Sequence, residues 1–161
     1  MTKIAVFASG NGSNFQAIID AVNNGKLDAE ICLLVCDKPN AYAIERAKKH
    51  AIPTFVFNPK DYENKKAFEE EILAKLRQNN VEWIVLAGYM RLIGETLLTA
   101  YGGKIVNIHP SLLPSFRGKD AIGQAFRAGV KVTGVTIHYV DEGMDTGPII
   151  LQKVVQVADD D

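Results

Sequence analysis

Short apolar runs recur along the chain at residues 4–8, 31–36, 54–57, 83–87 and 104–109, each stopped by glycine, proline or a polar cluster. Such continuous runs are what buried parallel strands require, because helices cover both faces of the sheet. Between the runs the apolar period lengthens. Phe15, Ile18, Ile19 and Val22 fall at helical spacing, with Gly25 at the expected helix end. Residues 41–50 read as a second helix whose last turn carries Lys48, Lys49 and His50, cations suited to the negative end of a helix dipole. Asp61 is the expected cap of a long helix with Phe68, Ile72, Leu73 and Leu76 as its core stripe. Shorter helices are expected at 95–101 and, after a loop at 114–118, at 121–128.

Beyond that point the period shortens to that of a strand. Residues 133–140 and 149–157 read as an antiparallel hairpin with a long loop at 141–148. The alternation predicts an α/β fold: a doubly wound, mostly parallel sheet with an antiparallel hairpin at one edge. A length of 161 residues, without repeats or linkers, predicts one domain over residues 1–161.

Composition narrows the function classes. A formal net charge of -1 and no basic run argue against nucleic acid or an anionic membrane as the main partner. The run Asp159, Asp160 and Asp161 reads as a solvated end. The first ten residues read as a strand rather than a signal peptide, and no apolar stretch approaches the ~20 residues of a membrane span. Cys32 and Cys36, about 13 Å apart along a strand, are too far apart for a disulfide and read as small buried hydrophobes. These features predict the cytoplasm.

Two stretches carry candidate chemistry. Asn107 and His109 stand at i and i+2 near the end of the fifth run, on one face of a strand, before Pro110 turns the chain. An amide and an imidazole at the mouth of a buried strand suit catalysis; the competing reading is a satisfied histidine in a turn. Between the first strand and first helix, Ser9, Gly10, Asn11, Gly12, Ser13 and Asn14 form a glycine turn ahead of a helix N-terminus, which offers free N–H groups to an anion. Phe15 stands where a dinucleotide fingerprint needs its third glycine, and no Walker lysine follows, so one phosphate fits better than a pyrophosphate. An ordinary glycine turn is an equal competitor on this motif alone.

The 141–148 loop holds Asp141, Glu142 and Asp145. Asp141 and Glu142 read as solvated; for Asp145, between Met144 and Thr146, a fixed geometry near His109 and a merely solvated acid are equal competitors on spacing alone. A carboxylate there raises the imidazole pKa. No nucleophile elbow is present, and His50, His109 and His138 lack metal-ligand spacing, so no metal is expected.

Together, residues 8–14, 86–91, 107–114 and 145–150 resemble the folate-dependent phosphoribosylglycinamide formyltransferase family, in order and over essentially the whole chain. The resemblance implies a catalytic trio of Asn107, His109 and Asp145. It implies a ribonucleotide phosphate site at Gly12, Ser13 and Asn14, and a folate site at Met90, Arg91, Leu92 and Ile93. Lys65 stands where the family commonly has an arginine in the folate site, and residues 140–146 resemble the segment that wraps the pteridine. The implied co-substrate is 10-formyltetrahydrofolate, without metal, and the implied acceptor is glycinamide ribonucleotide in purine biosynthesis. No oligomeric state is implied. The family usually continues past Val157 into a terminal helix, which this chain is expected to lack. The alternatives are a formyltetrahydrofolate hydrolase and a non-catalytic nucleotide or folate binder on the same fold.

Overall fold

The computed structural model describes residues 1–109, 132–139 and 149–156. The chain forms two compact units, Met1–Ile105 and Val106–Asp161. In the first unit, strands β1 (Thr2–Ala8), β2 (Ala29–Cys36), β3 (Thr54–Val56) and β4 (Trp83–Leu86) alternate with helices α1 (Ser13–Asn23), α2 (Tyr42–Lys49), α3 (Lys65–Gln78) and α4 (Glu95–Tyr101). The strands lie in the order β3-β2-β1-β4, and each neighbouring pair is parallel. β1 is central, with Val6 opposite Leu34 on one side and Val85 on the other.

This order follows from the apolar runs. Ala5, Val6, Phe7 and Ala8 have no exposed surface, since helices cover both faces. Phe15 and Ile19 of α1, Ile72 and Leu76 of α3 and Leu97 of α4 are likewise at or near zero exposure. Each such side chain contributes about 1.5–3 kcal/mol on burial. The strand order runs outward through β2 and β3, then returns to place β4 on the other side of β1. The reversal makes a switch point between β1 and β4, where the loops leaving the carboxyl ends of these strands diverge and open a crevice. The Ala87 N–H donates to the Phe7 carbonyl at 2.8 Å and the Ser9 N–H to Gly88 at 3.2 Å, so both loops leave from a fixed base.

One expected cap is corrected. Asp61 closes a 3-10 turn, Pro59–Asp61, in which the Asn58 side chain accepts from the Lys60 N–H at 3.0 Å. The helix starts later, where Asn64 Oδ1 accepts from the Ala67 N–H at 2.9 Å. Pro59 already supplies the helical φ at the earlier turn, and Asn64, with extended backbone, is the residue free to cap. The buried face of α3 also includes Glu69, at 2% exposure.

In the second unit, Val106 to His109 of β5 (Ile105–His109) pair antiparallel with β6 (Val132–Tyr139), with Asn107 opposite His138 and His109 opposite Thr136. β6 pairs antiparallel with β7 (Ile149–Gln156) from Val132 opposite Gln156 to His138 opposite Ile149. The helix expected at 121–128 and the loop expected at 141–148 lie outside the described residues.

Candidate active site

The turn between β1 and α1 is shaped by Gly12. Its φ of 80° lies in the left-handed region, and an added Cβ would sit 2.8 Å from Ala43 Cβ and 3.0 Å from Ala43 Cα. Glycine is thus required both by conformation and by the close approach of α2. α2 holds the turn from behind. The Ala43 N–H donates to the Gly10 carbonyl at 3.1 Å. Arg46 donates through Nε to the Asn11 carbonyl at 2.8 Å and through Nη2 to Asn11 Oδ1 at 2.6 Å.

No side chain caps the start of α1, and the Gln16 N–H is the one that reaches back to the Gly12 carbonyl, at 2.8 Å. The preceding N–H groups of the first turn lack intrahelical partners, as at any helix start, and make up the positive end of the helix dipole. A cleft of about 310 Å³ opens here, lined by the 9–14 turn, Lys38, Ala87, Gly88 and Met90. That volume is at the lower end for small-molecule sites. Gly12, Ser13, Asn14 and Met90, singled out from the sequence, are thereby brought to one cleft.

The opposite wall continues into the segment from β4 to α4. Ser9 Oγ accepts from the Met90 N–H at 2.9 Å. Arg91 Nε donates to Asp37 Oδ2 at 2.7 Å, and the guanidinium lies 6.0 Å from the Phe68 ring. Lys65 Nζ donates to the Leu92 carbonyl at 2.7 Å, and the Gly94 N–H donates to Glu69 Oε2 at 2.8 Å. Exposure alternates along the segment: Met90 and Leu92 are each 47% exposed, whereas Ile93 is buried among the core residues at 6%. Lys65 thus meets this segment through Leu92, while Ile93 faces the protein.

Asn107 and His109 belong to β5 of the second unit, and Asn107 is partly buried. Asp145 lies outside the described residues.

Electrostatics follow burial. Desolvation pushes the Tyr89 phenol above its ordinary value of 10.0, and the Asp37 and Glu69 carboxylates add to the rise. Tyr89 packs edge-on against Phe7 with ring centroids 5.3 Å apart. Burial also raises the Cys32 and Cys36 thiols, which keeps them protonated and weakly nucleophilic. Among the described residues, no group of three or more His, Cys, Asp or Glu could hold a metal ion, and no helix is long and apolar enough to cross a membrane.

Lys38, Asp37, Arg46 and Glu69 were not legible as site residues from spacing. Their partners are remote in sequence, as in the pair Asp37 and Arg91. The available signal was the position of Asp37 and Lys38 directly after an apolar strand, where open α/β folds place ligand-facing loops.

A doubly wound α/β sheet with a glycine turn and a cleft at its switch point is an architecture shared by many proteins that handle small molecules. Within that class the chain belongs to the formyl transferase family, whose model matches residues 2–161. It is 66% identical over 161 residues to the phosphoribosylglycinamide formyltransferase of Bacillus subtilis, spanning 100% of this chain and 83% of that protein. It is 41% identical over 155 residues to the human trifunctional purine biosynthetic protein adenosine-3, covering 96% of this chain and 15% of that longer protein. Among solved structures, glycinamide ribonucleotide transformylase 1 from Geobacillus kaustophilus is 65% identical with a TM-score of 0.89, over 100% of this chain and 86% of that one. The corresponding enzyme from Symbiobacterium toebii gives 42% identity and a TM-score of 0.89, over 100% of this chain and 76% of that one.

Proposed function

We propose that this protein transfers the formyl group of 10-formyltetrahydrofolate to the primary amine of glycinamide ribonucleotide, a step of purine biosynthesis. The observation that carries the reading is the uncapped, glycine-turned start of α1 opening on a cleft beside Lys38. It gains its specificity from 66% identity over the full chain to an enzyme named for this acceptor. Gly12, Ser13 and Asn14 would bind the ribonucleotide phosphate through backbone N–H groups and the helix dipole. Lys38 would supply a countercharge. Met90, Arg91, Leu92, Ile93 and Lys65 would form the folate side, and the loop at 140–146 would cover the pteridine.

In the reaction the amine nitrogen attacks the formyl carbon, and the carbonyl electrons move onto oxygen. The Asn107 amide and a protonated His109 stabilise that oxyanion, about 3–4 kcal/mol for each well-placed donor. Asp145 keeps the imidazole charged. Collapse re-forms the carbonyl and breaks the bond to folate N10. The proton lost by the amine passes through water near Asp145 to the departing nitrogen. The products are the N-formyl ribonucleotide and tetrahydrofolate. Because an amine attacks an activated formyl group directly, no enzyme nucleophile is required. The soluble small molecules of this reaction suit a cytoplasmic enzyme without nucleic-acid or membrane partners.

Asp145→Asn tests the arrangement. Turnover should fall by about 10²-fold or more, and the alkaline limb of the pH profile, where a required imidazolium His109 loses its proton, should move down in pH. A folded variant with wild-type turnover and profile would remove Asp145 from the mechanism.

A further inference from the structure

We propose that Asp37, which the reaction itself does not use, is a positioning residue that sets the backbone of residues 88–94 for the folate. The side chain of Asp37 is 1% exposed and meets Arg91 at 2.7 Å, while its other oxygen, Oδ1, is buried without a hydrogen-bond partner in the protein. A buried, half-satisfied carboxylate is a poor device for stability, because apolar residues of similar volume usually do as well or better. What the pair supplies is direction. It ties the middle of an irregular segment to the carboxyl end of β2 and lays the guanidinium against Phe68 of α3.

Two other side chains clamp backbone N–H groups of the same segment. Ser9, following β1, takes the Met90 N–H, and Glu69 of α3 takes the Gly94 N–H. Glu69 repeats the pattern of Asp37, with Oε1 buried and unpartnered in the protein. Gly94 leaves room for that carboxylate, since a Cβ there would stand 2.7 Å from Glu69 Oε1. With Ile93 buried and Arg91 tied to Asp37, Met90 and Leu92 remain outward at 47% exposure each. Exposed apolar side chains on a segment tethered at these positions, and also through the Gly88 and Leu92 carbonyls, form a preformed binding edge, so little ordering cost is left for the ligand. The ligand assignment rests on the functional reading above; the tethering does not.

The experiment compares wild type, Asp37→Ala and Asp37→Asn. It measures KM for each substrate, kcat and residue-resolved amide hydrogen exchange. In Asp37→Ala, exchange at the 90–94 amides should quicken about tenfold while the β1 amides stay protected. KM for 10-formyltetrahydrofolate should rise about tenfold, with KM for glycinamide ribonucleotide within about twofold of wild type. Asp37→Asn, which retains an acceptor for Arg91 Nε, should recover much of both and serves as the readout if the alanine variant does not fold. Unchanged exchange at 90–94 in both variants, or both KM values rising together with loss of protection in β1, would overturn the proposal. Wild-type protein without transfer activity would instead refute the functional reading, and the exchange data would still decide the tethering.

Discussion

At the scale of single residues, Gly12 carries the tightest steric demand in the site. Alanine there must adopt a left-handed φ and place a methyl 2.8 Å from Ala43 Cβ. The backbone alone costs about 1–2 kcal/mol. Gly12→Ala should therefore lower Tm by about 3–6 °C, and should raise KM for the ribonucleotide at least about tenfold as the turn moves off α2. Calorimetry and initial rates check both. Lys38 gives a charge-specific test. Lys38→Met should raise KM for the ribonucleotide several-fold and flatten its dependence on salt, leaving KM for the folate unchanged. A salt dependence equal to wild type would remove Lys38 from phosphate binding.

Tyrosines make a prediction about pH. The Tyr89 phenol is raised above 10.0 chiefly by burial, and Tyr62 is raised to about 12 chiefly by its 2.5 Å hydrogen bond to Glu71. A group whose folded pKa is raised stabilises the fold below its unfolded pKa, and that stabilisation is lost as pH rises toward the folded value. The protein should thus lose stability from about pH 10 upward. Tyr89→Phe should show a shallower loss in urea melts over that range.

Among the elements, β1, β2 and β4 were legible because each is an uninterrupted apolar run, a pattern that a strand buried on both faces imposes. α3 was legible as a helix but not in its start. Asp61 and Asn64 are both competent caps, and only the turn closed by Pro59 decides between them. Nor could periodicity show that Glu69, an acidic residue in a run of three, turns inward to meet Gly94. The clamps between elements predict an asymmetry. Arg91→Ala leaves the Asp37 carboxylate buried and unpaired, a loss of about 3–5 kcal/mol. Asp37→Ala leaves Arg91, whose side chain is 38% exposed, able to turn to water. Denaturant melts should therefore find Arg91→Ala clearly the less stable variant. Equal losses would mean that water already reaches Asp37.

For the whole molecule, the motifs that can be read in a line, such as the 9–14 turn and the Asn107–His109 pair, are legible as candidates because their residues are neighbours in sequence. The contacts that fix the 9–14 turn and the 88–94 segment are not legible in that way. Arg46 reaches Asn11 from 35 residues away and Arg91 reaches Asp37 from 54, distances that no local pattern spans. On the proposed function the formyl group goes to an amine rather than to water. The most direct measurement follows a carbon-labelled formyl group from 10-formyltetrahydrofolate, with and without glycinamide ribonucleotide. Label should appear in the N-formyl ribonucleotide, in step with tetrahydrofolate formed, with negligible release when the acceptor is left out. Labelled formate appearing at the same rate whether or not the acceptor is present would contradict it.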